Sequence, residues 1–142
     1  MPYSMDNKVA LITGAGSGIG RAVSLRYCEA GGKVALFGRT EAKLETLATE
    51  LGDDKSLVIP GRHEDPDDAR RAVEAVRKRW GRADLLFNNA GTYHPARIAD
   101  TSDETWSEAL ASNPTGPFMM TRAALPLLRE DSGGVKIGRA HV

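Results

Sequence analysis

A short aliphatic run, Lys8–Thr13 (KVALIT), empties directly into TGAGSGIG, residues 13–20, and helical periodicity starts at once on the far side. Five β-branched and aliphatic residues after Lys8, ending at a glycine cluster, fit a buried strand better than a single helical turn. A strand that turns through glycines into a helix is the opening of a parallel α/β unit. Glycines allow a tight turn, and without side chains they let backbone N–H groups approach an anion at the positive end of the helix. Glycine supplies 15 of the 142 residues, above the roughly 7% of ordinary proteins, so the positions of the excess matter.

The same alternation continues along the chain. Ile19, Val23, Tyr27 and Ala30 recur at helical spacing before Gly31 and Gly32. A second strand is expected at Lys33–Phe37, then a helix with Leu44, Leu47, Ala48 and Leu51 on one face and Gly52 at its end. SLVIP at 56–60 reads as strand three. Asp65 and Pro66 then start a helix that carries Asp67 and Asp68 first and Arg77, Lys78 and Arg79 last, charges that complement the helix dipole at both ends. DLLFN at 84–88 reads as strand four. Thr101 and Glu104 form a capping box before Trp106, Ala109 and Leu110, and a last helix spans about 115–129. Strands alternating with helices of this length demand parallel pairing with helices on both faces, hence a Rossmann-type doubly wound α/β sheet.

Other templates for the glycine loop fail. No Lys follows Gly18 or Gly20, so it is not a P-loop, and Ser17 is flanked two residues away by Ala15 and Ile19 rather than by the glycines of a GxSxG nucleophile elbow. Ile19 and Arg21 break the common GxGxxG spacing. Nineteen basic residues balance nineteen acidic ones, which removes the electrostatic footprint of a nucleic-acid or anionic-membrane binder and points to a small-molecule partner. The single Cys28 excludes an intrachain disulfide, and His63, His94 and His141 show no metal-ligand spacing, so no metal site is expected. No basic-then-apolar leader or long apolar run is present, and the chain reads as cytoplasmic.

The spacing that does fit, TGxxxGxG, together with NNAG at 88–91 after the fourth strand, resembles the short-chain dehydrogenases and reductases over about residues 8–128. The resemblance implies an oxidoreductase that moves a hydride between a nicotinamide and an alcohol or ketone, with a small-molecule substrate and a homo-oligomeric parent. It implies that Gly14, Ser17, Gly18, Ile19 and Gly20 hold the cofactor diphosphate and that Asn89, Ala90 and Gly91 lie against its ribose. The end of strand two offers Gly38, Arg39 and Thr40 rather than a carboxylate. A guanidinium there suits a 2′-phosphate, so Arg39 favours NADP over NAD, whereas Ser17 stands where NADP-preferring relatives often carry a basic residue. Where the family places an Asp toward adenine, this chain has Arg62, which can stack on adenine or meet phosphate and cannot accept the amino proton.

For catalysis the resemblance implies an Asn, a Ser, and a Tyr followed four residues later by a Lys that lowers its pKa. Asn113 matches the first, and its bland alternative is a bend or cap at a helix broken by Pro114. Tyr93 and Arg97 imitate the Tyr–Lys spacing, but Pro95 lies between them and an Arg is not the required Lys. The Ser, Tyr and Lys are expected beyond a fifth strand, which Val135–Ile137 can only begin. Residues 1–135 therefore read as the N-terminal part of an incomplete cofactor domain with strand order 3-2-1-4 and a rudimentary fifth strand. The end IGRAHV is the translation of a string resembling a sequencing adapter, so 136–142 is expected to be a non-native tail. Such a truncation is expected to leave strand four with an unpaired or poorly paired edge and the fold prone to association. The alternative reading is a dinucleotide-binding module, or inactive fragment, without catalysis.

Overall fold

The computed structural model describes residues 3–130 and 135–138. Its elements run β1 (Val9–Thr13), α1 (Gly18–Glu29), β2 (Lys33–Gly38), α2 (Glu41–Leu51), β3 (Ser56–Pro60), α3 (Pro66–Trp80), β4 (Leu85–Asn88), α4 (Asp103–Leu110), α5 (Gly116–Glu130) and β5 (Val135–Gly138). The strands form one sheet in the order β3-β2-β1-β4-β5, parallel throughout. This is the Rossmann-type arrangement that the strand–helix alternation demands.

Side-chain alternation along the strands divides the core into two layers. Val9, Leu11, Ala35, Phe37 and Ile59 pack with Val73 and Val76 of α3 and Met120 and Leu127 of α5 on one face. Ala10, Ile12, Val34 and Leu36 meet Tyr27 and Cys28 of α1 and Leu44 and Leu47 of α2 on the other. Burial pushes the Cys28 thiol up to about 11, with the nearby Lys55 lowering it only in part. Among the described residues, no helix is long and apolar enough to cross a membrane.

Five local expectations change. In α1 the buried residues are Gly20, Ser24, Tyr27 and Cys28, while Ile19 is 46% exposed. Gly20 turns inward because it alone fits against the loop before it, and that choice sets the face for the rest of the helix. The capping box on Thr101 and Glu104 does not form. A short 3-10 turn, Ile98–Asp100, ends on Thr101, whose hydroxyl donates to the Arg97 carbonyl (3.0 Å), and the cap passes to Ser102, whose Oγ accepts the Thr105 N–H (3.1 Å). The expected inner face of α4 is largely outward, with Trp106 60% and Leu110 43% exposed.

Pro114 does not break the helix either. Residues Ala111–Thr115 form a π turn, and the Gly116 N–H donates to the carbonyl of Ala111, five residues earlier. The wider turn accommodates a ring that has no N–H to give, so α4 runs on into α5. Finally, the outer edge of β4 is paired: Leu85, Leu86, Phe87 and Asn88 align with Val135, Lys136, Ile137 and Gly138. Residues 136–138, counted above with the tail, lie in this strand, and 139–142 lie outside the described residues.

Candidate functional site

The loop from β1 to α1 is held by close backbone approach. Gly14 has φ +62°, and a Cβ on Gly20 would lie 2.2 Å from the Gly14 carbonyl oxygen. Asn89 Nδ2 donates to the carbonyls of Thr13 and Gly14, both at 3.2 Å, and the Ala90 N–H donates to Thr13 Oγ1 at 2.9 Å. The NNAG segment after β4 is thus sewn to the glycine loop after β1. Ser17 stands at the N-cap of α1 but makes no side-chain cap, and no acidic residue occupies the first turn. A 12-residue helix therefore presents the positive end of its dipole uncapped.

That end borders a cleft of about 490 Å³ at the carboxyl edge of the sheet. β2 lies on one side of β1 and β4 on the other, so the cleft sits where the strand order reverses, the usual ligand position in open α/β sheets. Its walls come from the glycine loop, the β2–α2 turn, the β3–α3 loop, the segment after β4, and the junction of α4 with the π turn.

Of the positions singled out in the sequence, Gly14, Ser17, Arg39, Ala90 and Gly91 line this cleft. Gly18, Ile19 and Gly20 form the first turn of α1 beside it, and Asn89 fastens the wall from behind. Asn113 is not in the lining. Its Oδ1 accepts the Thr92 N–H (2.9 Å) and its Nδ2 donates to the Thr92 carbonyl (3.0 Å), so both ends of the amide are engaged. Gly16, Lys43, His63, Glu64, Thr92 and Ser112 also line the cleft and were not singled out as binding residues. Gly16 lay inside the quoted loop and Lys43 one helical turn beyond Arg39. Nothing in the sequence pointed to the partners of His63 and Glu64, which come from spatial neighbours.

Charge is unevenly spread over the walls. Arg39 is exposed and no described residue bonds its guanidinium. Arg62 instead turns back on Glu64, with Nε 2.8 Å and a terminal nitrogen 2.6 Å from Oε1. Burial pushes the Glu64 carboxyl up, but its own backbone N–H, the Arg62 guanidinium and His63 outweigh that and hold it below the usual carboxylate range. His63 is buried, with Nε2 2.7 Å from the Ser112 carbonyl and Nδ1 3.2 Å from Glu64 Oε2.

A family model described as short chain dehydrogenase matches residues 8–137, nearly the whole chain. The chain belongs to the short-chain dehydrogenase family. Similar proteins of this family include an uncharacterized oxidoreductase of Staphylococcus aureus, 33% identical over 97% of this chain and 60% of the relative. Another, from Thermotoga maritima, is 35% identical over 93% of this chain and 53% of the relative. Among solved structures, a 3-ketoacyl-(acyl-carrier-protein) reductase from Brucella melitensis, complexed with NADH, superposes with a TM-score of 0.90 at 35% identity, covering 95% of this chain and 57% of that one. A short-chain dehydrogenase/reductase of the glucose/ribitol dehydrogenase type from the same organism gives 0.87 at 30% identity, covering 90% and 54%. The chain thus spans between half and two thirds of the length of these short-chain dehydrogenases.

Proposed function

We propose that this chain forms the cofactor-holding part of an NAD(P)-dependent oxidoreductase that interconverts an alcohol and a ketone. The observation that carries the reading is the uncapped start of α1 opening into the cleft, with its loop fixed by Asn89. The residues present fit a dinucleotide: the amides of Gly18, Ile19 and Gly20 would hold its diphosphate without a competing carboxylate in the first turn, and Ala90 and Gly91 would supply a wall with no bulky side chain. The nicotinamide supplies the hydride donor or acceptor when bound. The chain's own residues bind and orient.

Arg39 supports NADP over NAD, because the turn after β2 lacks a carboxylate for the ribose hydroxyls and offers an unengaged guanidinium, with Lys43 on the same wall. The NADH-bound Brucella reductase keeps NAD as the competing cofactor. Asn113 stands as the residue that positions the catalytic end, acting through Thr92, and no residue of 1–142 matches the Ser, Tyr and Lys the resemblance implies. The balanced charge supports a small-molecule substrate and no nucleic-acid or membrane partner, and the single Cys28 supports a reducing, cytoplasmic setting. The homo-oligomeric parent and the non-native character of 136–142 remain part of the proposal.

A second reading, dinucleotide binding without catalysis, is favoured by the full engagement of the Asn113 amide. Fluorescence titration with NADPH and NADH, run beside a carbonyl-reduction assay on this chain and on one extended to its relatives' length, separates the two. Binding by both with turnover only in the longer protein supports the enzyme, and binding without turnover in either supports the module. Absence of binding in both sinks the cofactor reading.

A further inference from the structure

The β3–α3 loop brings a carboxylate to a cleft whose other features favour anions. Glu64 lines the cleft beside Gly61 and Arg62, and its side chain is 16% exposed. Arg62 Nε donates to Oε1 at 2.8 Å. A carboxylate has roughly four lone-pair directions, so acceptor capacity remains for a ligand. Held below the usual carboxylate range, Glu64 is ionised at neutral pH and can only accept. The guanidinium on its flank offsets the charge, so the pair offers an acceptor without the repulsion that a bare carboxylate exerts on a diphosphate.

The loop is braced on several sides. Asp68 Oδ2 accepts the Arg62 backbone N–H at 2.9 Å, and Arg71 donates both to Asp68 and to the Pro60 carbonyl. Buried His63 sits with Nε2 2.7 Å from the Ser112 carbonyl, and its ring flanks Glu64 Oε2 at 3.2 Å. A Cβ on Gly61 would lie 2.9 Å from the Phe37 ring, which seats the loop against β2. The carboxylate is therefore held in place before any ligand arrives, which lowers the cost of ordering it on binding.

The sheet order says which part of a dinucleotide reaches it. With the diphosphate at the start of α1 and Arg39 toward a 2′-phosphate after β2, the nucleoside on that side extends outward from β1. The next loop in that direction follows β3. We propose that Glu64 is a specificity-determining residue that accepts a hydrogen bond from the exocyclic amino group of the adenine, with Arg62 as the positioning residue that aims and neutralises its carboxylate. Arg62 thus acts on the base through Glu64, onto which its guanidinium is turned. The inference rests on the cofactor reading above.

The test sets NADH and NADPH each beside its hypoxanthine counterpart, whose base carries an oxygen where adenine carries the amino group. Binding is read by fluorescence titration. The wild-type chain should prefer adenine by about tenfold or more, the scale of one hydrogen bond to a charged group. Glu64→Gln presents a donor as well as an acceptor, so it serves either base, and the preference should shrink to about threefold or less. Arg62→Ala should narrow the preference too, because the carboxylate loses its aim. Among the described residues lining the cleft the other carboxylate is Glu108 of α4, 3.4 Å from His94, and Glu108→Gln should keep the wild-type ratio. Equal affinity of the wild type for both bases, or an unchanged preference in Glu64→Gln, overturns the proposal while leaving the cofactor reading standing. A wild-type ratio in Arg62→Ala overturns the part given to Arg62. No binding of any of the four nucleotides removes the proposal and the cofactor reading together. Should Glu64→Gln fail to fold, the ¹³C carboxylate resonance of Glu64 in the wild type decides. It must shift when NADH or NADPH binds and stay in place with nicotinamide mononucleotide, which has no adenine, and a resonance indifferent to the base overturns the proposal.

Discussion

Asn113 grips the backbone of Thr92 from both sides, accepting its N–H at 2.9 Å and donating to its carbonyl at 3.0 Å. The pair spans 21 residues of sequence and joins the segment after β4 to the π turn. An amide is the one small side chain that presents a donor and an acceptor side by side to another peptide group. Asn113→Ala leaves two partly buried backbone groups without partners, and about 2 kcal/mol of stability is expected to go with them. Asn113→Asp keeps the acceptor and turns the other oxygen against a carbonyl, so it should destabilise more at neutral than at acid pH. Urea melts at two pH values check both, and equal stability of Asn113→Ala and wild type would remove the clamp from the account.

Gly20 supplies a second prediction. Its missing Cβ makes room for the Gly14 carbonyl and the Asn89 amide, so Gly20→Ala has to displace backbone rather than a flexible side-chain tip. The cost should exceed about 2 kcal/mol, in the range of overpacked cores, and nucleotide binding should be lost with it. Gly18→Ala meets nothing within 4 Å but asks an L-residue to hold φ +54°, which costs roughly 1–2 kcal/mol. Thermal melts of the two variants should therefore rank Gly20→Ala well below Gly18→Ala, and the reverse order would contradict the packing of the loop.

Arg39 should matter to one cofactor and hardly to the other. If its guanidinium meets the 2′-phosphate, Arg39→Ala weakens NADPH binding by roughly 10- to 100-fold, the worth of a charge-assisted pair, and changes NADH binding severalfold at most. Parallel titrations read this directly. Equal losses for both nucleotides would mean that Arg39 is not a phosphate reader.

Asp84 anchors the opposite end of the sheet. Its carboxylate accepts the Val9 N–H at 2.8 Å and pairs with Arg82 at 2.6 and 3.0 Å, joining the approach to β4 with the first residue of β1. Burial raises its pKa, but Arg82 and the Val9 N–H outweigh that and hold it below the usual carboxylate value. A carboxyl whose folded pKa is depressed contributes stability above its unfolded pKa, near 3.9, and that contribution is lost as pH falls through the folded value. Asp84→Asn should thus lower the melting temperature at pH 7 and flatten the fall seen in acid. A variant as stable as wild type at pH 7 would show that the carboxylate charge is not needed there.

What the sequence made legible was local or periodic. KVALIT, the glycine loop and the Asp65–Pro66 start of α3 each carry their structure within a few residues, and Asp65 does accept from the N–H groups of Asp67 and Asp68. NNAG could be matched as a string, but the bond from Asn89 to Gly14 crosses 75 residues and no spacing rule encodes it. Thr101 and Ser102 are both sound caps, and the choice fell to the 3-10 turn that consumed Thr101. Pro114 was read from its intrinsic cost in an α-helix, whereas a turn of different pitch removes most of that cost. His63 and Glu64 became part of the cleft only because Ser112 and Gly116 come to meet them from 49 and 53 residues away.

The π turn also changes how the two helices it joins can be compared with any uninterrupted helix. One surplus residue in a helical turn advances everything after it by about 100° around the axis. The outward tilt of Trp106 and the inward seat of Met120 are therefore out of phase with each other, and an apolar stripe drawn straight through both helices runs onto the wrong side. Deleting a single residue between Ala111 and Thr115 would bring the halves back into phase. It would also swing Ser107 and Glu108 away from the cleft, so the extra residue acts as a rotational spacer that decides which side of α4 the ligand meets.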